Sequence, residues 1–372
     1  MIISQIKDLF QFTLLKKKNK RYVFYSESYF YTNFYFELLT KLIKTQKAVV
    51  VSSDKNEINF LRKKKIECFY IKNNLLKTLF FSLLNCDYII MTMADIGNNY
   101  AKSIFKVKYI YYFHSLASTH KIYTEKAFDN YDYIFVNGNY QIKEIRLNEK
   151  ANNLKKKKLV KSGYFFLNYL KNKIKINRNY KKTILFAPTW SLNKKNLFND
   201  YGKEIIKKLI ELNYKVILRP HPEIGKRFPN KINEVKKFFS DNKNFYLDKS
   251  ASNLESMEKS FLCITDNSTI TIEYALSLKR QILYLNYKEK IHNPKYKTLE
   301  IETLENNFKK RIGVSLDVEE FLNFNFELDK ILRKNIYYKK SLKEFEKKYF
   351  YDSKKSVKIA VDFLNNLSEK QK

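Results

Sequence analysis

Short apolar runs rich in β-branched and aromatic residues recur along this chain, and stretches with helical spacing lie between them. Arg21–Ser26 (RYVFYS), Ala48–Ser52 (AVVVS), Cys68–Ile71, Tyr88–Met93 (YIIMTM), Val107–His114 (VKYIYYFH) and Tyr133–Asn137 (YIFVN) read as buried strands. Phe34–Lys44 and Leu75–Leu84 read as helices. Strands that are apolar on both sides need helices on both faces, and alternation at this rhythm specifies a parallel sheet. The rhythm restarts after a charged, Asn-rich connection at Lys171–Lys182, with strands at Thr183–Ala187 (TILFA), Lys215–Leu218 (KVIL), Phe245–Leu247, Phe261–Thr265 (FLCIT) and Gln281–Leu285 (QILYL). Beyond Val318 the pattern is helical, carried by Phe321, Leu328, Ile331, Leu342, Phe345, Tyr349, Val357, Val361 and Leu364. The 372 residues exceed the ~250–300 that one hydrophobic core supports. The expected architecture is therefore α/β: doubly wound domains at 1–175 and 176–325, and a helical C-terminal segment at 326–372.

Composition removes several classes. The six glycines are too scattered for a GxGxxG or Walker A loop, so any nucleotide phosphate is held another way. Cys68, Cys86 and Cys263 show no CxxC spacing and sit in apolar stretches, which fits buried thiols in a reducing compartment. No apolar run reaches the ~18 residues of a membrane-spanning helix, and no secretory signal is expected. Lys and Arg total 72 against 38 acidic residues, a formal net charge of +34. That excess has two readings: attraction to anions, or codon bias that scatters lysine over every solvated face. The basic runs Lys16–Lys18, Lys63–Lys65, Lys155–Lys158 and Lys181–Lys182 are spread along the chain rather than confined to one element. The N-terminus sets Ile2, Ile3, Ile6, Leu9, Phe10 and Leu14 at helical spacing ahead of Lys16, Lys17, Lys18 and Lys20. Such a helix either lies on an anionic membrane surface or packs on its own domain.

In open α/β sheets, ligands bind beyond the carboxyl ends of strands. His114 and His221, two of four histidines, close strands there. Arg219-Pro220-His221-Pro222 is a stiff turn in which Arg219 offers a fork matched to phosphate oxygens and His221 a second polar group. Asp266, Asn267, Ser268 and Thr269 lie between the strand FLCIT and a helix, where Ser and Thr cap the first turn and its N–H groups suit a phosphate. Glu273, one turn into that helix, is placed to accept hydrogen bonds from a ribose. Thr189 and Trp190, in Ala187–Trp190 after TILFA, are nucleotide-side candidates; spacing does not decide whether Trp190 flanks a base or plugs a junction. No DxD pair or metal-ligand cluster stands out, so no metal or cofactor is expected.

FHSLAST, SGYF, ILFAPTW, LRPHP and ITDNSTITIEYAL followed by QILYLN, in this order, resemble the CDP-glycerol glycerophosphotransferase family, which includes the teichoic acid glycerol-phosphate polymerases and primases. The likeness runs from about Val107 to Asn286. It implies a GT-B type fold of two Rossmann-like domains with the active site between them, and a terminal helix that returns to the first domain. It implies transfer of a polyol phosphate from a CDP-activated donor to a hydroxyl, with release of CMP. His114 is then the general base. Arg219 and His221 hold the diphosphate and stabilise departing CMP, and Ser268 and Thr269 hold phosphate at the helix start. Phe113 and Ser115 stand where the family has Trp and Gly, Thr269 where it has a second Ser, and Glu273 where it usually has Asp. The implied partners are a CDP-polyol, a lipid-linked or polymeric glycan acceptor and an anionic membrane surface, with no specific nucleic acid. The implied place is the cytoplasmic side of the membrane, in capsule or teichoic-acid-like synthesis. A GT-B glycosyltransferase using a CMP- or UDP-sugar is the nearest alternative; a basic nucleic-acid-binding or non-catalytic protein is more remote.

Overall fold

The computed structural model describes residues 2–175, 182–191, 195–323, 328 and 338–369. The chain forms two compact units: Met1–His114, Tyr123–Tyr169 and Phe350–Lys372 in the first, Ser115–Ile122 and Leu170–Tyr349 in the second. Part of the 171–182 connection, Ile331 and much of 324–337 lie outside the described residues.

The first unit is built on β1 (Tyr22–Ser26), β2 (Ala48–Ser52), β3 (Cys68–Tyr70), β4 (Tyr88–Met91), β5 (Lys108–Tyr112), β6 (Tyr133–Val136) and β7 (Lys158–Lys161). They form a parallel sheet in the order β3-β2-β1-β4-β5-β6-β7. Winding outward from β1 to β3 and then restarting at β4 makes β1/β4 the switch point of a doubly wound sheet. All five residues of β1 are buried, as a central strand covered on both faces must be. The strand expected to run to His114 ends at Tyr112, where pairing with β6 stops at Tyr112↔Phe135. His114 therefore stands in the turn beyond the sheet rather than in the ladder.

The second unit repeats the plan with β8 (Thr183–Phe186), β9 (Lys215–Leu218), β10 (Phe245–Leu247), β11 (Leu262–Thr265), β12 (Ile282–Asn286) and β13 (Val314–Asp317). The order is β10-β9-β8-β11-β12-β13, all parallel, with its switch point at β8/β11. Ile184, Phe186, Val216, Leu218, Ile264 and Leu283 supply its core. The outer strands β7 (KLVK) and β13 (VSLD) have no counterpart among the expected strands. Both are half-exposed edge strands with polar residues where a central strand would carry apolar ones.

Two segments join units away from their sequence neighbours. Residues 115–122 belong with the second unit, where the Ser118 amide donates to Glu305 Oε1 (3.1 Å) and the Leu304 amide to Ser118 Oγ (2.6 Å). The terminal helix Ser356–Glu369 belongs with the first: Tyr22 and Tyr88, stacked at 4.9 Å, donate their phenols to the carbonyls of Leu364 (2.5 Å) and Leu367 (3.2 Å).

The N-terminal helix Ile2–Leu14 packs by an unexpected side. Gln5 accepts from the amides of Lys72 (2.6 Å) and Asn73 (2.8 Å), and Asp8 from that of Tyr70 (2.7 Å). Phe12 seats edge-on against Phe69 and Phe80. The apolar stripe faces out: Ile3 is 78% exposed, Ile6 51%, Phe10 63% and Leu14 65%.

Candidate active site

His114 is aimed by its neighbours in the first unit. Its Nδ1 lies 2.6 Å from Oγ1 of Thr92, the buried residue just past β4. The rings of Tyr31 and Phe34, on the helix Tyr29–Leu42, meet the imidazole edge-to-face at 4.9 and 6.1 Å. The ring is partly exposed, so one edge is gripped while the residue remains accessible.

In the second unit, Asp266 ties the end of β11 to the loop after β8. It is buried and accepts from the Thr189 amide (2.8 Å) and from Thr265 Oγ1 (3.2 Å), while Thr265 Oγ1 also donates to the Ala187 carbonyl at 2.6 Å. Burial pushes its carboxyl up, against the pull of the Thr189 and Asn267 amides. Thr189 and Asp266 line a cavity of about 350 Å³ together with Lys195, Asn196, Lys288, Glu289 and Lys290, and the Glu289 carboxylate is itself paired with Lys121 at 3.1 Å. Such a site at strand ends, rich in ammonium groups, suits a polyanion.

Trp190 decides the neighbourhood. Its ring packs against His292 (4.7 Å) and His221 (5.8 Å), and it carries Lys290 Nζ at 4.5 Å and Arg227 Cζ at 5.0 Å. Two cations on one indole are held in place by cation–π attraction, so Trp190 serves as a platform that presents positive charge. Burial pushes the Lys290 ammonium down to about 8, opposed by Glu305, Asp266 and Glu223. Burial, then the charges of Lys290 and Arg227, push His292 down to about 4, so that ring is neutral at neutral pH. Its buried Nε2 has no hydrogen-bond partner among the described residues. Nothing in the sequence singles out Lys288, Lys290, His292 or Arg227, because lysine is everywhere in this chain and only the fold sets Lys290, His292 and Arg227 around Trp190 and Lys288 on the cavity.

The remaining candidates differ from a simple picture of donors projecting from strand ends. His221 caps the short helix Pro222–Arg227, its Nδ1 accepting from the Glu223 amide at 3.2 Å. The neutral ring therefore carries its proton on Nε2 as a donor. Arg219 is buried; its guanidinium donates to Asp248 Oδ2 (2.5 Å) and to Oγ (3.2 Å) and the carbonyl (3.1 Å) of Ser250. Burial would raise the Asp248 carboxyl, but hydrogen bonds from Ser250 and Ser256 and the Arg219 charge outweigh it and hold the group below its usual range. Thr269 precedes the helix Ile270–Leu278 with φ −69° and ψ −12°, and no side chain caps that helix, contrary to the expected Ser/Thr cap. In that helical conformation the hydroxyl does not reach back to the first-turn amides. Ser268 contributes its carbonyl, which accepts from Thr271 Oγ1 at 2.8 Å. Glu273 is buried and accepts from Asn253 Nδ2 at 3.1 Å. The structure thus joins Thr189 to Asp266 and Trp190 to His221, whereas Arg219 and Glu273 turn to partners of their own. No cluster of three metal-ligating side chains occurs among the described residues.

The model of the CDP-glycerol:poly(glycerophosphate) glycerophosphotransferase family matches residues 10–364. Among solved structures, the wall teichoic acid polymerase TagF superposes with a TM-score of 0.64 at 16% identity, covering 100% of this chain and 95% of that one. A TagF crystal soaked with CDPG gives 0.63, also at 16% identity over 100% and 95% of the two chains. UDP-GlcNAc 2-epimerase from Neisseria meningitidis, bound to UDP-GlcNAc, gives 0.58 at 14% identity, covering 93% and 99%. At these identities the likeness is one of fold, the GT-B type with two Rossmann-like domains. No curated protein sequence matches the chain.

Proposed function

This chain belongs to the CDP-glycerol:poly(glycerophosphate) glycerophosphotransferase family, and on that premise we propose how its own residues carry out the transfer. The chain is a transferase of glycerol phosphate in cell-wall polymer synthesis. In the proposed step the acceptor hydroxyl attacks the phosphorus that bears the glycerol, and its proton passes to His114. The bond to the oxygen bridging the two phosphates breaks, and CMP leaves with that oxygen and the electron pair. A neutral imidazole is the side chain suited to accept a proton near neutral pH. The donor diphosphate is held by the second unit, with Lys290, Lys288 and Lys195 neutralising charge and the His221 Nε2–H donating to the departing phosphate. Fixed donors at such a leaving group are each worth ~2–4 kcal/mol. Ser268 and Thr269 offer phosphate the uncapped first turn of their helix. Thr189, Asp266 and Glu273 shape the nucleotide side, and Arg219 supports the His221 turn by bracing it on Asp248. The observation that carries this reading is the cationic cluster on Trp190 beside the lysine-lined cavity, a phosphate site that needs no glycine-rich loop.

The acceptor is a lipid-linked or growing glycan, and the enzyme works on the inner face of the membrane. The outward stripe of the helix Ile2–Leu14, followed by Lys16–Lys18, supports this: an apolar face beside ammonium groups fits an anionic lipid surface. No helix among the described residues is long and apolar enough to cross a membrane. Three buried free thiols suit a reducing compartment.

The test is a donor panel. CDP-glycerol, CDP-ribitol, CMP-sialic acid and UDP-N-acetylglucosamine are each incubated with acceptor, and nucleotide release is followed with wild type and His114→Ala. Acceptor-dependent CMP release from a CDP-polyol, abolished in His114→Ala while CDP-glycerol still binds, is expected. UDP release, or CMP release from the sialic acid donor, makes the enzyme a glycosyltransferase; unchanged turnover in His114→Ala removes the base assignment.

A further inference from the structure

We infer that Glu289 is a specificity-determining residue of the donor site, whose carboxylate binds a vicinal diol of the donor. The inference rests on the reading of the lysine-lined cavity as the diphosphate site and names what is bound next to the diphosphate. A carboxylate on a cavity that takes phosphate weakens the binding of a bare polyanion by like-charge repulsion. It is favourable only toward a ligand that also brings O–H or N–H groups, because an ionised carboxylate can only accept.

The second unit holds this carboxylate ready. Glu289 lies just past β12 on the loop that leads to Asn293, and Lys121 grips that loop twice. The Lys121 carbonyl accepts from the amides of His292 (3.2 Å) and Asn293 (3.0 Å), and its ammonium donates to Glu289 Oε2 at 3.1 Å. Lys121 is itself buried, its ammonium 5.9 Å from the centre of the Tyr296 ring, so the grip is fixed. Asn306 Nδ2 donates to Glu289 Oε1 at 2.9 Å, and Asn306 Oδ1 accepts from Asn267, the neighbour of Asp266, at 3.4 Å. One donor on each oxygen sets the plane of the group. Among the described residues these two are the hydrogen-bond donors to Glu289, so each oxygen keeps an acceptor site. The other carboxylate on the cavity differs: Asp266 Oδ1 is taken by the Thr189 amide and the Thr265 hydroxyl, and burial pushes the group up. Burial acts the same way on Glu289, but the Lys121 charge and the Asn306 hydrogen bond outweigh it and hold the carboxyl below its usual range. Glu289 thus stays ionised on a cavity shared with Lys195, Lys288 and Lys290. Two acceptor oxygens side by side match two adjacent hydroxyls. CDP-glycerol carries such a pair on either side of its diphosphate, one on glycerol and one on ribose. The cytosine amine is a poorer match, because its two hydrogens diverge from one nitrogen and the base lies beyond the ribose.

The experiment is calorimetric binding to the full chain without acceptor, so that turnover plays no part. The ligands are CDP-glycerol, CDP-1,3-propanediol (no middle hydroxyl on the polyol) and 2′-deoxy-CDP-glycerol (no ribose diol). Wild type should bind at least one of the two analogues about 10- to 100-fold more weakly than CDP-glycerol, the loss expected for a hydrogen bond to a charged group. Which analogue suffers tells the glycerol diol from the ribose diol. In Glu289→Ala the discrimination should shrink to within about twofold. Glu289→Gln keeps one acceptor oxygen and a partner for Lys121, which covers the case in which the alanine variant does not fold; about fivefold or less should remain. Equal binding of all three ligands by wild type overturns the inference, and so does full discrimination in a folded Glu289→Gln. A variant that weakens all three alike would make Glu289 a brace for its loop and overturn it too. Discrimination against UDP-glycerol that Glu289→Gln removes would assign the carboxylate to the cytosine amine instead of a diol. Failure of wild type to bind CDP-glycerol at all would remove the donor reading itself, a separate result, and the inference with it.

Discussion

Replacing Phe10 and Leu14 by serine tests whether the N-terminal helix is a membrane anchor. Full burial of a Phe or Leu side chain contributes about 1.5–3 kcal/mol. Phe10 is 63% exposed and Leu14 65%, so about two-thirds of each contribution remains for a lipid surface, roughly 1–2 kcal/mol per residue. The double variant should lose about 2–4 kcal/mol of membrane affinity, about 30- to 700-fold in partition coefficient. Stability should hold, because the helix docks through Gln5, Asp8 and Phe12 on its other side. The basic cluster adds about 1 kcal/mol per lysine near an anionic surface; Lys17 is already paired with Asp87 at 2.8 Å and Lys20 is buried, its ammonium donating to the Phe12 carbonyl, which leaves Lys16 and Lys18. That part should vanish at ~1 M salt, where the screening length is ~3 Å, while the apolar part persists. Sedimentation with phosphatidylcholine/phosphatidylglycerol vesicles at two salt concentrations measures both, and a thermal melt checks the fold. A folded Phe10→Ser/Leu14→Ser variant that sediments like wild type would refute the anchor. A melt lowered by several degrees would refute the account of which side packs.

Two further outcomes follow from the second unit. Arg219→Ala leaves Asp248 buried without its counter-charge and should cost ~3–5 kcal/mol in denaturant unfolding, whereas removing both partners in Arg219→Ala/Asp248→Ala should cost clearly less; equal losses would show that the pair is not coupled. Burial pushes the Lys290 ammonium down to about 8, and a bound diphosphate favours its charged form. CDP-glycerol binding should therefore take up a proton at that pH and weaken as pH rises through it. Calorimetry in buffers of different ionisation enthalpy reads the uptake, which Lys290→Met should abolish; uptake unchanged in Lys290→Met would place the titrating group elsewhere.

The central strands and the strand-end histidines were legible because their signals are local. A run such as AVVVS has few other places to go, and a histidine directly after one falls at the ligand edge of the sheet. The edge strands KLVK and VSLD were not, since an edge half open to water needs no apolar run. The rigidity of the Arg219–Pro222 turn was readable from its prolines, but the direction of the guanidinium was not: its partner Asp248 lies on another strand end, and nothing near Arg219 in sequence announces it.

Periodicity by itself determined that Ile2–Leu14 is an amphipathic helix and that the chain makes two parallel α/β sheets, because the spacing of side chains along one element is a property of that element. Which face of the helix meets water was decided only when the amides of Tyr70, Lys72 and Asn73 arrived to be satisfied by Asp8 and Gln5. Tertiary structure likewise chose Lys288 and Lys290 from 72 basic residues by folding them over the cavity beside Trp190, and it set Thr92 against His114 across two strands. Those pairings join residues far apart in the chain, and their energies exist only once the sheets have brought them within bonding distance.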